Sequence, residues 1–187
     1  MKIEVTIPDG KSGDWSVETF QVGGDEMKLY NLRAMFHPGC RTIEAGIYKK
    51  LCYRGSIIMS NTPSEVSDHL SFIHRAQGKV LMNGLGLGVA LKAILDKTEV
   101  ESVTVIEKEQ DVINLVGKYF MDNPKVQIIH ADAFTWKPSK GVIYDVVWHD
   151  IWTDICSDNL PQMYKLHRKY GRRSKWQGSW CRELCER

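Results

Sequence analysis

Residues 79 to 88, "KVLMNGLGLG", decide how this chain is read. An apolar run of strand length stops at Asn83, and three glycines then alternate with leucines. "VALKAILDK" follows, with Leu91, Ile94 and Leu95 at helical spacing. A strand therefore hands over to a helix through a loop in which Gly84, Gly86 and Gly88 lack a Cβ. One or two glycines suffice to turn a corner. Three in alternation let backbone approach a ligand closely and aim free N–H groups at it from a helix start.

The strand and helix pattern continues downstream. "SVTVIE" is a strand ending in Glu107, and "QDVINLVGKYF" places Val112, Leu115, Val116 and Tyr119 on one helical face. "VQIIHA" and "YDVVWHD" are two further strands. Such alternation predicts an α/β fold over residues 61–187: a mostly parallel sheet covered by helices and joined by right-handed crossovers. At its start, Thr62, Pro63 and Glu65 predict a capping box and a helix over residues 63–76, with Gly78 just beyond.

Residues 1–60 read as a small β-rich segment: "KIEVTI", "WSVETFQV" and "TIEAGIYKKLCYRGSIIMS", separated by "PDGKSGD" and "GGDE", with a turn at Arg54-Gly55. After Asp150, Asp158 is expected to cap a helix that Gly171 ends. In "KWQGSWCRELCER", Trp176, Trp180 and Leu184 recur every four residues, which predicts a packed helical face in a basic C-terminal tail.

Composition sets bounds. The 187 residues are 43 % hydrophobic, enough for one domain with a real core. No apolar run reaches membrane-spanning length and the start lacks the apolar stretch of a secretory signal, so a soluble, cytoplasmic protein without a membrane partner is expected. Cys40, Cys52, Cys156, Cys181 and Cys185 are odd in number and form no C-x-x-C pair, which points to free thiols rather than a disulfide scaffold or zinc ribbon. Net charge is only +2, yet residues 165–187 carry eight Lys/Arg against two Glu. A solvated terminal segment is the simplest reading, with nucleic-acid binding weak and salt-sensitive at most.

In open parallel sheets the ligand lies beyond the carboxyl ends of the strands. Those ends are Asn83, Glu107, the stretch from His130 to Asp132, and His149-Asp150. Glu107, 19 residues after Gly88, stands where a carboxylate accepts hydrogen bonds from ribose hydroxyls. A dinucleotide fingerprint, G-x-G-x-x-G, would need its third glycine at position 89, which is Val89, and this disfavours NAD.

The G-x-G-x-G loop and the acidic end of the second strand resemble motifs one and two of class I S-adenosylmethionine-dependent methyltransferases, and residues 79–152 carry the resemblance. It implies a three-layer Rossmann-like methyltransferase fold over residues 61–187, with S-adenosyl-L-methionine as cofactor. Asn83 and the backbone of Gly84, Leu85, Gly86 and Gly88 would then surround the methionine end. Glu107, with Lys108 beside it, would hold the ribose, and Asp132 and the Ala133 backbone would meet adenine. Asp145 would have a structural role, and Asp150 would face the methionine end and the acceptor. Asp150 is the candidate catalytic residue and His149 a candidate general base, while Trp152 is a candidate acceptor wall.

The β-rich lead-in and "RGSIIMSNTPSEVSDH" extend the resemblance to a spermidine synthase-like branch, over about residues 40–155. Three departures stand against that closer match. Leu87 replaces the acid that holds the aminopropyl amine, Thr153 replaces a second acid with Asp154 one step later, and only 37 residues follow Asp150 where the family sheet has three more strands. A sheet truncated at its C-terminal side is therefore expected.

The expected function is methyl transfer to an unidentified, small-molecule acceptor. Two alternatives stay open: aminopropyl transfer, with Asp150, Asp154 and Glu65 holding a polycation, and a non-catalytic S-adenosylmethionine-binding module. Asp158-Asn159 follow Asp150 too closely for a metal site, and a homodimer is compatible with the sequence.

Overall fold

The burial pattern along strand β5 (Gly78–Asn83) shows how the domain is layered. Val80 and Met82 enter one apolar cluster while Leu81 enters another on the opposite face. In β6 (Val100–Glu107), Val103 and Val105 join the first cluster and Ile106 the second. Strands buried on both faces read as continuous Val/Ile/Leu runs, as parallel strands covered by helices do.

The computed structural model describes residues 3–24, 31–32 and 44–187. Five parallel strands are ordered β7-β6-β5-β8-β9, where β7 is Val126–His130, β8 is Tyr144–His149 and β9 is Ser174–Ser179. The order reverses between β5 and β8, so the glycine loop after β5 and the Asp150 segment after β8 diverge around one crevice. Helices α1 (Pro63–Asp68), α2 (Leu70–Arg75), α3 (Val89–Leu95) and α4 (Gln110–Leu115) contribute to the first cluster, and α5 (Leu160–Tyr170) to the second.

A separate antiparallel sheet, β1-β2-β3-β4, is built from Gly10–Ser12, Trp15–Val22, Gly46–Tyr53 and Ser56–Ser60. Arg54 and Gly55 turn the last hairpin, both at positive φ (50° and 81°), as a two-residue turn matching strand twist requires. The sheet is fastened to the Rossmann-like layer by Ser12, whose hydroxyl donates to Asp111 of α4 at 2.7 Å.

The structure corrects several sequence expectations. Residues 3–9 of "KIEVTI" and its continuation form no strand, although Ile3 and Ile7 are buried. The helix expected over residues 63–76 breaks at His69, and no side chain caps it: Glu65 reaches back past Thr62 to the Ser60 amide and hydroxyl, at 2.6 and 2.7 Å. Tyr119 lies in a 3-10 turn after α4, which rotates it out of the buried face to 46 % exposure. Asp158 lies within the 3-10 turn Ser157–Asn159, one residue too early to cap α5, whereas Gly171 ends that helix as expected.

The expected helical stripe in the tail is also corrected. Ser174–Ser179 is β9, paired in parallel with β8, and only Arg182–Cys185 is helical (α6). Spacing by four misled because Trp176 packs by stacking on Trp148 of the neighbouring strand, with ring centroids 6.4 Å apart, a sheet contact rather than a helical one. Cys40 and the residues Asp25-Glu26 of "GGDE" lie outside the described residues. No helix among the described residues is long and apolar enough to cross a membrane.

Candidate functional site

The glycine loop and the end of β8 meet so closely that side chains are excluded between them. Gly84 (φ 98°) has no room for a Cβ, which would overlap the Asp150 carbonyl oxygen, and one on Gly86 would overlap the sulfur of Met59. The Asp150 amide donates to the Asn83 carbonyl at 2.8 Å, fixing both lips. Between them opens a cleft of about 460 Å³, within the usual size range for small-ligand sites.

Glu107, at the end of β6, is buried at the cleft floor. Its two oxygens accept from the Leu85 and Glu109 amides, both at 2.8 Å. Burial pushes its carboxyl above the ordinary range, and the backbone hydrogen bonds from Glu109, Leu85 and Lys108 oppose that shift. A carboxylate offers about four acceptor positions, so three amides leave room for a ribose hydroxyl.

Beyond Glu107, Asp132, Ala133 and Phe134 form a side wall of the cleft. Asp132 accepts from the Phe134 amide at 2.6 Å and lies 4.0 Å from the Lys108 ammonium. The segment is pinned from behind, because the Lys169 ammonium on α5 donates to the carbonyls of Ala133 (2.6 Å) and Trp136. His130 points elsewhere and bonds the Lys108 carbonyl.

At the inner end, Asp150, Glu65 and His69 converge from β8, α1 and the α1–α2 break. Asp150 Oδ2 lies 3.8 Å from His69 Nδ1, and that buried nitrogen has no hydrogen-bond partner among the described residues. Burial raises the Asp150 carboxyl; His69 opposes the shift, and Asp68, Glu65 and Glu107 add to it by repulsion. Burial raises Glu65 as well, against its two bonds from Ser60.

The loop amides nearby are mostly engaged. Gly84 donates to the Ile106 carbonyl, Leu85 to Glu107, Gly88 to the Leu85 carbonyl, and Leu87 to the thioether of Met59 at 2.9 Å. Trp15, Trp152 and Trp180 complete the mouth.

Gly84, Gly86, Glu107, Lys108, Asp132, Ala133 and Asp150 are thus gathered around one cleft, and Trp152 also lines it. Asn83, Leu85, Gly88 and His149 are not. Asn83 and His149 are fully buried and bonded to each other behind the loop, so the geometry turns His149 away from Asp150. Leu87 is buried too, and Asp154 is exposed outside the cleft lining. His69 and Met59 were not anticipated. A histidine interrupting a helix between Asp68 and Leu70 was a usable signal; Met59, inside an apolar strand, gave none.

No protein-family profile matches the chain. Among curated proteins it is similar to the polyamine aminopropyltransferase of Leptospira interrogans, with 33 % identity over 100 residues, 49 % of this chain and 20 % of that protein. Over part of its length the chain is similar to polyamine aminopropyltransferases. Polyamine aminopropyltransferase 1 of Streptomyces coelicolor is 28 % identical over 130 residues, 63 % of this chain and 24 % of that protein. The Sulfurisphaera tokodaii polyamine aminopropyltransferase is 25 % identical over 150 residues, covering 72 % and 50 %. The chain thus spans half or less of the length of each of these relatives. Among solved structures, spermidine synthase from Thermotoga maritima aligns with a TM-score of 0.48 at 19 % identity, over 89 % of this chain and 54 % of that one.

Proposed function

We propose that the cleft binds a sulfonium nucleoside and transfers its alkyl group to an amine, as a spermidine synthase-like aminopropyltransferase would. One observation carries this reading: the inner end presents the Asp150 and Glu65 carboxylates, while four of the neighbouring loop amides are already engaged. Such an end suits a cationic tail and an amine acceptor and disfavours an α-carboxylate, so decarboxylated S-adenosylmethionine fits it better than S-adenosylmethionine. The curated relatives are named for the same transfer.

A bound sulfonium nucleoside supplies an electrophilic carbon whose C–S bond breaks as an acceptor nitrogen forms the C–N bond. The chain's own work is alignment and proton transfer. Glu107 holds the ribose, Asp132 and the Ala133 backbone fix the adenine, and Glu65 anchors a positive end of the acceptor. Asp150 accepts the proton that the attacking nitrogen releases, its raised carboxyl being a better base than an exposed one. His69, facing Asp150, steadies the charge there.

Methyl transfer is the second reading, favoured by Leu87, an apolar and buried side chain where aminopropyl transfer would be served by an acid. Calorimetric titration with S-adenosylmethionine, its demethylated product and the decarboxylated compound separates the two. Preference for the decarboxylated compound is the expected result; preference for the first two would reverse the assignment, and no binding by any would remove both.

A further inference from the structure

We infer that the surface formed by α5, the turn into β9 and the loop between β7 and β8 binds single-stranded nucleic acid. Lys165, Arg168 and Arg172 follow one another at spacings of three and four residues, which places them along one side of α5 and its continuation. Arg173 brings the β7–β8 loop alongside by donating to the Ser139 carbonyl at 3.3 Å, and Lys137 and Lys140 flank that contact in sequence.

The charge of this surface is unbalanced. Among the described residues, none of Lys137, Lys140, Lys165, Arg168, Arg172 and Arg173 is in a salt bridge, whereas nearby Lys175 pairs with Asp145 at 2.6 Å. Like charges crowd there closely enough that Lys137 and Lys165 both lower the Lys169 ammonium, after burial and against the pull of Asp132. Six cations with no ion-pair partner among the described residues repel one another, and a polyanion relieves that repulsion.

Aromatic rings select among polyanions. The Lys165 ammonium lies 5.1 Å from the centre of the Phe134 ring, which lines the cleft wall, and exposed Tyr164, next to Lys165 in the chain, has the Arg182 guanidinium, itself paired with Glu186, 5.1 Å from its ring centre. Cations beside accessible rings suit a strand whose phosphates meet the charges while unpaired bases stack. A duplex would hide those base faces, and an acidic peptide or lipid surface would leave the rings unused.

The inference is independent of the cleft chemistry proposed above, and the protein without any cleft ligand tests it. Fluorescence anisotropy of a labelled single-stranded RNA of about 16 nucleotides is followed from low to moderate salt. With six cations engaged, the slope of log K against log salt is expected to be about −4, and Arg168→Gln/Arg172→Gln should reduce it to about −3 while weakening binding about tenfold or more. An unchanged thermal midpoint shows that the variant is folded. No anisotropy change at low salt, a variant that binds like wild type, or tighter capture of polyglutamate or of anionic phosphatidylserine vesicles would each overturn it.

Discussion

Asn83 and His149 face each other across the β5–β8 pair, with Asn83 Nδ2 and His149 Nδ1 2.7 Å apart. Burial lowers the imidazole to about 3, so His149 is neutral near physiological pH. An amide nitrogen can only donate, so Nδ1 accepts and the ring proton resides on Nε2, directed at Gln177 Oε1 3.3 Å away. The pair locks the two strand ends that carry the glycine loop and Asp150. It does so as a scaffold, with neither side chain reaching the cleft.

This pair makes stability acid-sensitive. Folded His149 refuses a proton until pH falls to about 3, whereas the unfolded chain takes it up near 6.5. Its contribution is therefore complete above 6.5 and declines as pH drops toward 3. Urea unfolding between pH 7 and pH 4 should show a steeper acid loss in wild type than in His149→Gln; equal slopes would contradict the assignment.

Asp150 should behave in the opposite sense. Burial raises its folded pKa, so its ionised form costs stability at neutral pH, and that cost is relieved as pH falls through the folded value toward 3.8. Asp150→Asn is expected to stabilise the fold at pH 7 by about 0.5–2 kcal/mol and to lower transfer about 10²–10⁴-fold. The stability gain should vanish below pH 3.8. Thermal melts and turnover measured on the same preparation check both.

Gly84→Ala and Gly86→Ala should differ. At Gly84 the new methyl meets backbone, the Asp150 carbonyl, and at positive φ it has no strain-free alternative, so a loss of about 3 kcal/mol or more is expected. At Gly86 it meets the flexible Met59 thioether, which can swing aside, leaving mainly the strain of about 1–3 kcal/mol at a left-handed residue. Denaturant midpoints of the two variants rank them.

Lys169→Met should loosen the cleft wall without touching a ligand. It strands the Ala133 and Trp136 carbonyls, at about 1–3 kcal/mol. Nucleoside affinity is expected to fall while Lys169→Arg recovers part of it, as titration calorimetry with a purine nucleoside would record.

The sheet was legible because its pattern is two-sided: Val80, Leu81 and Met82 are all buried, and a continuous apolar run ending in alternating glycines admits few other folds. Gly84, Gly86, Glu107, Asp132 and Asp150 could be named because strand ends converge at a switch point whatever the loops do. What escaped the sequence depends on contacts between distant segments. His149 follows the strand alternation that Asp150 breaks out of, so the chain neighbour of a cleft residue faces away. Met59 reaches Leu87 across 28 positions through a hairpin that no local period announces. Trp176 shows the converse error, since a tryptophan spaced for a helical face stacks instead on Trp148 of the neighbouring strand.

Met59 has a mechanical consequence. Its sulfur rests on the Leu87 amide, so the N-terminal sheet and the glycine loop share a contact that closes one side of the cleft. A thioether is a weak acceptor, so a ligand carboxylate could take that amide only by displacing Met59. A cleft ligand without a carboxylate leaves the β3–β4 hairpin seated, whereas one with a carboxylate pulls the contact apart, and the two should be told apart far from Glu107, by amide hydrogen exchange along Ser56–Ser60 that quickens only with the second.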